Sequence, residues 1–116
     1  GYKPYNFTYK DHVFVLVPVT EPWEVLAWIP MGGFNGCPDE LHQIALAKGL
    51  YDQFGARIMY ISASSLEYYL PDPLTNQEDF EKAAKILIAA DNDVYEDYEV
   101  TAQRILGSHN WFMWWD

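Results

Sequence analysis

The chain has 116 residues, half of them apolar and 17% aromatic, with seventeen acidic against seven basic side chains and a net charge of −10. That length makes one domain and the apolar content gives it a real core, which excludes the disordered class. The few Lys and Arg are scattered, which excludes a phosphate-tracking surface, so no nucleic acid and no anionic membrane is expected as a partner. An acidic surface serves solubility or meets a basic protein partner. The single cysteine rules out an internal disulfide and fits a reducing cytoplasm. No run approaches the roughly 18 apolar residues of a membrane span, and Gly1-Tyr2-Lys3-Pro4 lacks the apolar core of a signal peptide. Were the native start upstream of Gly1, export would stay open.

In chain order, residues 1–10 show no period and read as an extended arm ahead of a compact core over residues 12–116. Val13 to Val19 is β-branched and apolar on both faces, a buried strand whose end Pro18 demotes. Trp23 to Ile29 reads as a second strand, paired with the first as a hairpin. Pro30 through Gly36 breaks it. Pro38 and Asp39 then open a helix with Leu41, Ile44, Ala45, Ala47, Tyr51 and Phe54 on its apolar face and Gly55 as its stop.

Arg57–Ile61 and Leu66–Leu70 read as strands. Thr75-Asn76-Gln77-Glu78 is a capping-box pattern that starts a helix with Phe80, Ala83, Ala84, Leu87 and Ile88 inward. Asp91 to Asp97 is a polar break, read as a solvated loop, before a last helix that stops at Gly107. The terminal Trp111-Phe112-Met113-Trp114-Trp115-Asp116 is too aromatic for a loose end, so it predicts a docked strand with protein against both faces. The sum is an α/β (or α+β) single domain of two or three layers, with a mixed sheet of about five strands and three helices.

The passage from strand through glycine loop to helix is the first candidate site. A helix start presents unpaired N–H groups and a positive dipole end, and glycines admit a ligand close to the backbone. Its ligand-binding candidates are Gly33, Asn35, Gly36, Cys37 and Asp39, with Trp28, Trp114 and Asp116 as further walls. The spacing fits neither the Walker pattern nor the dinucleotide fingerprint, and the competing reading is a tight crossover loop.

Cys37 stands where a helix start could activate a thiol, with His42 as the nearest candidate base; the plainer alternative is a packing cysteine. Asn35 is an oxyanion-donor candidate or a simple Asx turn. Asp116 is set to bridge Arg57 or Arg104. The acids Asp91, Asp93, Glu96, Asp97 and Glu99 miss the EF-hand pattern, and one cysteine with three dispersed histidines shows no zinc spacing. No metal and no cofactor is expected.

Three stretches carry a resemblance: Trp28-Ile29-Pro30 before Gly32-Gly33-Phe34-Asn35-Gly36-Cys37-Pro38, then Tyr51-Asp52-Gln53-Phe54-Gly55-Ala56 with Leu66-Glu67-Tyr68, and the aromatic tail. Together they resemble a bacterial domain-of-unknown-function family with a GGxNxCP loop and a Trp-x-Phe/Met-Trp-Trp-Asp end. The resemblance implies bacterial origin and a self-contained α/β domain; it carries no reaction, cofactor or catalytic residue. Two departures stand out, Ser64-Ser65 before the Leu-Glu pair and Asn92-Asp93 in place of Cys-Pro-Asp.

The charge, the aromatic richness and the lack of a complete catalytic set favour a non-enzymatic binding module. It would offer an exposed aromatic-acidic patch to a basic protein, as small acidic bacterial immunity proteins do. The alternative is a small-molecule enzyme at Gly33–Asp39 using Cys37 or Asn35.

Overall fold

The computed structural model describes residues 5–9 and 12–116, with side chains from Phe14 onward. The remainder of the expected arm lies outside the described residues. Its described part is a strand: β1 (Tyr5–Tyr9) pairs antiparallel with β2 (His12–Leu16).

The stretch expected to be a second strand folds otherwise. Pro22–Glu24 forms a 3-10 turn that runs into a one-turn helix, α1 (Val25–Trp28). Pro22 presets the helical φ at the first position, and the Glu24 carboxylate accepts the Thr20 N–H at 3.2 Å. Leu26 is buried while Ala27 and Trp28 are exposed, so one inward residue per turn, rather than alternation, anchors the segment.

Helix α2 (Glu40–Phe54) starts two residues later than expected, with Asp39 as its N-cap and Gly55 in the left-handed region as its stop. Its buried residues are Gln43, Ala47 and Leu50, whereas Leu41, expected inward, is 78% exposed. The buried stripe is therefore rotated from the expected face, with a glutamine at its N-terminal end. Two strands follow, β3 (Arg57–Ile61) and β4 (Ser65–Tyr69), antiparallel, with a bulge between Ile58 and Tyr60.

Helix α3 (Gln77–Ala90) is capped one residue downstream of the expected box. Asn76 Oδ1 accepts the Asp79 N–H and its amide donates to Asp79 Oδ2, both at 2.8 Å. Glu78 and Lys82, one turn apart, pair at 3.3 Å. Asp97 caps α4 (Tyr98–Ile105) through the Val100 N–H. The tail is β5 (Asn110–Trp114), antiparallel to β4.

Among the described residues the five strands thus divide into two antiparallel sheets, β1-β2 and β3-β4-β5, not one mixed sheet. Ser62–Ser64 joins β3 to β4 as a tight turn, and the two helices between β4 and β5 return the chain to the same end, so no parallel crossover arises. Alternation along the larger sheet separates its faces. Leu66, Tyr68, Leu70, Trp111, Met113 and Trp115 enter the core with Leu50, Leu87 and Ile105. Phe112 and Trp114 point outward at 42% and 40% exposure, so the tail meets protein on one face only.

Candidate functional site

At the glycine loop, Gly32 and Gly33 have positive φ, and the Gly33 N–H donates to the Pro38 carbonyl at 2.9 Å. The Cys37 N–H closes a second turn onto the Phe34 carbonyl at 2.7 Å. These bonds fold the loop back against the start of α2. That helix start caps itself: Asp39 Oδ1 accepts the His42 N–H at 2.8 Å, and the Asp39 carbonyl accepts the Gln43 N–H at 2.8 Å. A carboxylate already occupies the place where an anion would sit.

Cys37 and His42 do not meet as a nucleophile and its base. Cys37 is 8% exposed, and burial pushes its thiol above the ordinary value. Its neighbour is Gln43, whose Nε2 lies 3.2 Å from Sγ and 3.5 Å from Met31 Sδ. His42 projects into solvent, its Nδ1–H donating to Asp39 Oδ1 at 2.7 Å. His109 sits at the end of β4-β5, where its Nδ1–H donates to the Leu70 carbonyl at 2.7 Å and its ring stacks on Tyr69.

Asn35, at φ +39, and Gly36 form the exposed rim of a 170 Å³ cavity, with Asp91, Asp93 and Trp115 opposite. Of the two terminal tryptophans it is therefore Trp115, not the expected Trp114, that reaches the loop. Trp28 is an exposed ring at the end of α1. Asp116 is exposed, and among the described residues it pairs with neither Arg57 nor Arg104. Arg57 instead lies over the Tyr51 ring, 5.6 Å from its centre. A wider groove of 510 Å³ runs past Met31, Gly32 and Phe34 to Ser62.

Asp91 departs most from the expected solvated loop: it is 3% exposed. Its Oδ2 accepts the Trp114 N–H at 2.8 Å and its Oδ1 the Val94 N–H at 3.3 Å. Burial raises its carboxyl above the ordinary value despite these donors. Tyr95 adds a second tie, its hydroxyl donating to the Phe112 carbonyl at 2.8 Å.

The second candidate region is the outer face of β3-β4-β5. Glu67 lies between Tyr60 on β3 and Phe112 on β5 as direct cross-strand partners. Tyr69 and Trp114 extend the face along both strand directions, and Met59, at the bulge just before Tyr60, is 52% exposed. Glu67 Oε1 accepts one hydrogen bond from Asn110 Nδ2 at 3.0 Å, which holds a carboxylate upright among aromatic rings.

Sequence reasoning gave no site role to Glu67 or Gln43 and read Asp91 as one acid of a solvated loop. The alternation in Ser65-Leu66-Glu67-Tyr68-Tyr69 was a usable signal for the first; Gln43 and Asp91 are polar types at positions where burial is rare. Among the described residues, no group of three or more His, Cys, Asp or Glu could hold a metal ion, and no helix is long and apolar enough to cross a membrane.

Helices on one face of an antiparallel sheet, a self-capped glycine loop and an open aromatic face define a mixed α/β domain. The chain belongs to the family described as Domain of unknown function (DUF4253), whose model matches residues 13–116. Neither the curated proteins nor the solved structures offer a match to the chain.

Proposed function

We propose that this domain is a protein-binding module that docks a basic partner on the outer face of β3-β4-β5. The observation that carries the reading is Glu67 set among exposed Tyr60, Tyr69, Phe112 and Trp114, each 38–42% exposed. Exposed apolar surface gathered on one sheet face marks an interaction site more often than scattered side chains do, and aromatic residues are enriched in such contacts. Glu67 would receive a Lys or Arg of the partner, and the net charge of −10 would steer the encounter. The alternative enzyme reading at Gly33–Asp39 has less support, because Cys37 is buried and that burial pushes its thiol up, while His42 turns to Asp39.

A photo-crosslinking residue placed at Phe112, with Leu41 on the helical side as control, tests this in cells. Adducts to a basic protein are expected at 112, weakened by Glu67→Lys, and not at 41. Adducts at 41 alone, or adducts at 112 indifferent to Glu67→Lys, would overturn it.

A further inference from the structure

We propose that the segment taken by the outer face of β3-β4-β5 is proline-rich and held in the polyproline II conformation. It lies across the three strands and sets a Lys or Arg over Glu67. The site is the docking face described above, so the assignment of its partner rests on that reading.

The register fixes the layout. Tyr60, Glu67 and Phe112 are direct cross-strand partners, so they form one row at right angles to the strands. Neighbouring strands lie about 4.8 Å apart, which puts the backbones of Tyr60 and Phe112 about 9.6 Å from each other with a carboxylate midway. Polyproline II has three residues per turn and a rise of about 3.1 Å, so side chains at i and i+3 repeat along one side every ~9.3 Å. An extended strand repeats its side every ~6.7 Å and an α-helix every ~5.4 Å; neither spacing spans the row. One proline on Tyr60 and the next on Phe112 leave an intervening position whose long basic side chain falls over Glu67.

The chemistry of the face agrees with the spacing. Proline carries a carbonyl but no N–H, so a proline-rich chain offers acceptors and demands few. The Trp114 indole N–H and the Tyr69 hydroxyl supply exposed donors on either side of the row. Glu67 spends Oε1 on Asn110 Nδ2 at 3.0 Å, which leaves Oε2 for a cation. The one base on these strands, Arg57, lies over the Tyr51 ring, and among the described residues no ion pair links it to Glu67. The net charge of −10 repels an acidic segment and draws a basic one. A partner adding a strand at β5 would need backbone groups that Asp91 and Tyr95 already hold. Polyproline II needs no such ladder, and its stiffness lowers the entropy lost on docking to aromatic rings.

The experiment follows the fluorescence anisotropy of a labelled peptide of three Pro-Pro-Lys repeats as the folded chain is added. Saturable binding is expected, at least tenfold tighter than for a Gly-Gly-Lys peptide of equal length and charge, and a Pro-Pro-Glu peptide should not bind. Tyr60→Ala and Phe112→Ala should each weaken the complex roughly tenfold, whereas Leu41→Ala on the helical side should leave it unchanged. Glu67→Lys should lose the Pro-Pro-Lys peptide and gain the Pro-Pro-Glu peptide, an exchange that a folding defect would not produce. Glycine and proline peptides bound alike would overturn the polyproline assignment and leave the docking reading standing. Absence of binding by the Pro-Pro-Lys peptide, or binding indifferent to Tyr60→Ala and Phe112→Ala, would also overturn the assignment. Failure of the docking reading itself shows separately, as absence of crosslinked adducts at 112.

Discussion

Replacing Gly32 by Ala probes how tightly the loop is pressed against α2. Gly32 has φ +131, and a Cβ built there overlaps the Pro38 carbonyl oxygen while lying 3.1 Å from the Asp39 carbonyl carbon and 3.2 Å from Gln43 Cγ. Two of those three atoms are backbone, and the Pro38 oxygen is held by the Gly33 N–H at 2.9 Å. Relief requires the loop to lift away from the helix start. The lift loses that hydrogen bond, about 1 kcal/mol, on top of about 1–3 kcal/mol for a non-glycine residue at such a φ. The expected loss is about 2–4 kcal/mol. Gly36→Ala is the internal control: φ is +79 but no atom lies within 4 Å of the added Cβ, so only the backbone penalty of about 1–2 kcal/mol applies. Urea unfolding followed by tryptophan fluorescence gives both values. Equal losses in the two variants would refute the claim that steric contact with Pro38, rather than handedness, fixes Gly32.

Tyr95→Phe removes the donor to the Phe112 carbonyl from a side chain 1% exposed and should cost about 1–2 kcal/mol in the same unfolding assay. Asp91 and Asp39 should bend the acid limb of stability in opposite senses. The raised carboxyl of Asp91 holds its proton more tightly when folded, so its contribution is full below about pH 3.8 and is lost as pH rises through the folded value. The stability deficit of Asp91→Asn relative to wild type should therefore be larger at pH 3 than at pH 8. The backbone N–H of His42, then its ring, lower the carboxyl of Asp39, so its contribution is present above about pH 3.8 and is lost as pH falls through the folded value. Asp39→Ala should melt below wild type at pH 7, with the gap closing on acidification. Reaction of Cys37 with a thiol reagent should be slow in the folded chain at pH 7 and should become fast on unfolding in urea, as its burial and raised thiol require.

What could be read from the sequence was whatever depends on local chemistry. Gly55 as a helix stop, Asp97 before the last helix and the apolar spacing of Phe80, Ala83, Ala84 and Leu87 all act within one or two turns, and the structure carries each of them. Trp23 to Ile29 misled because β-branched and aromatic residues favour strands only when both neighbours on the sheet are available; here Pro22 and a single buried leucine favour a turn of helix. The two-sheet division depends on strand pairing across the chain, which composition does not encode. At the candidate site, Cys37 and His42 were legible as residue types but not as directions. The loop turn closed by the Cys37 N–H puts the thiol into the core, and the first turn of α2 puts the His42 imidazole into water.

The two sides of β5 are treated differently, and the contrast bears on the docking proposal. An edge strand offers unpaired N–H and C=O groups to any passing chain. On β5 the Trp114 N–H is taken by Asp91 and the Phe112 carbonyl by Tyr95, and the first of these ties holds a buried carboxyl that has no ion-pair partner among the described residues. The aromatic side chains of the same two residues remain exposed on the sheet face. Selection against aggregation alone would also cover or charge that face, since exposed apolar rows are a liability. Guarding the edge while leaving the face open discourages strand addition at β5 and admits contact through side chains. A partner would then be recognised by what it presents to Glu67 and the surrounding rings, so its binding should respond to substitutions on the face and not to loss of the Tyr95 hydroxyl.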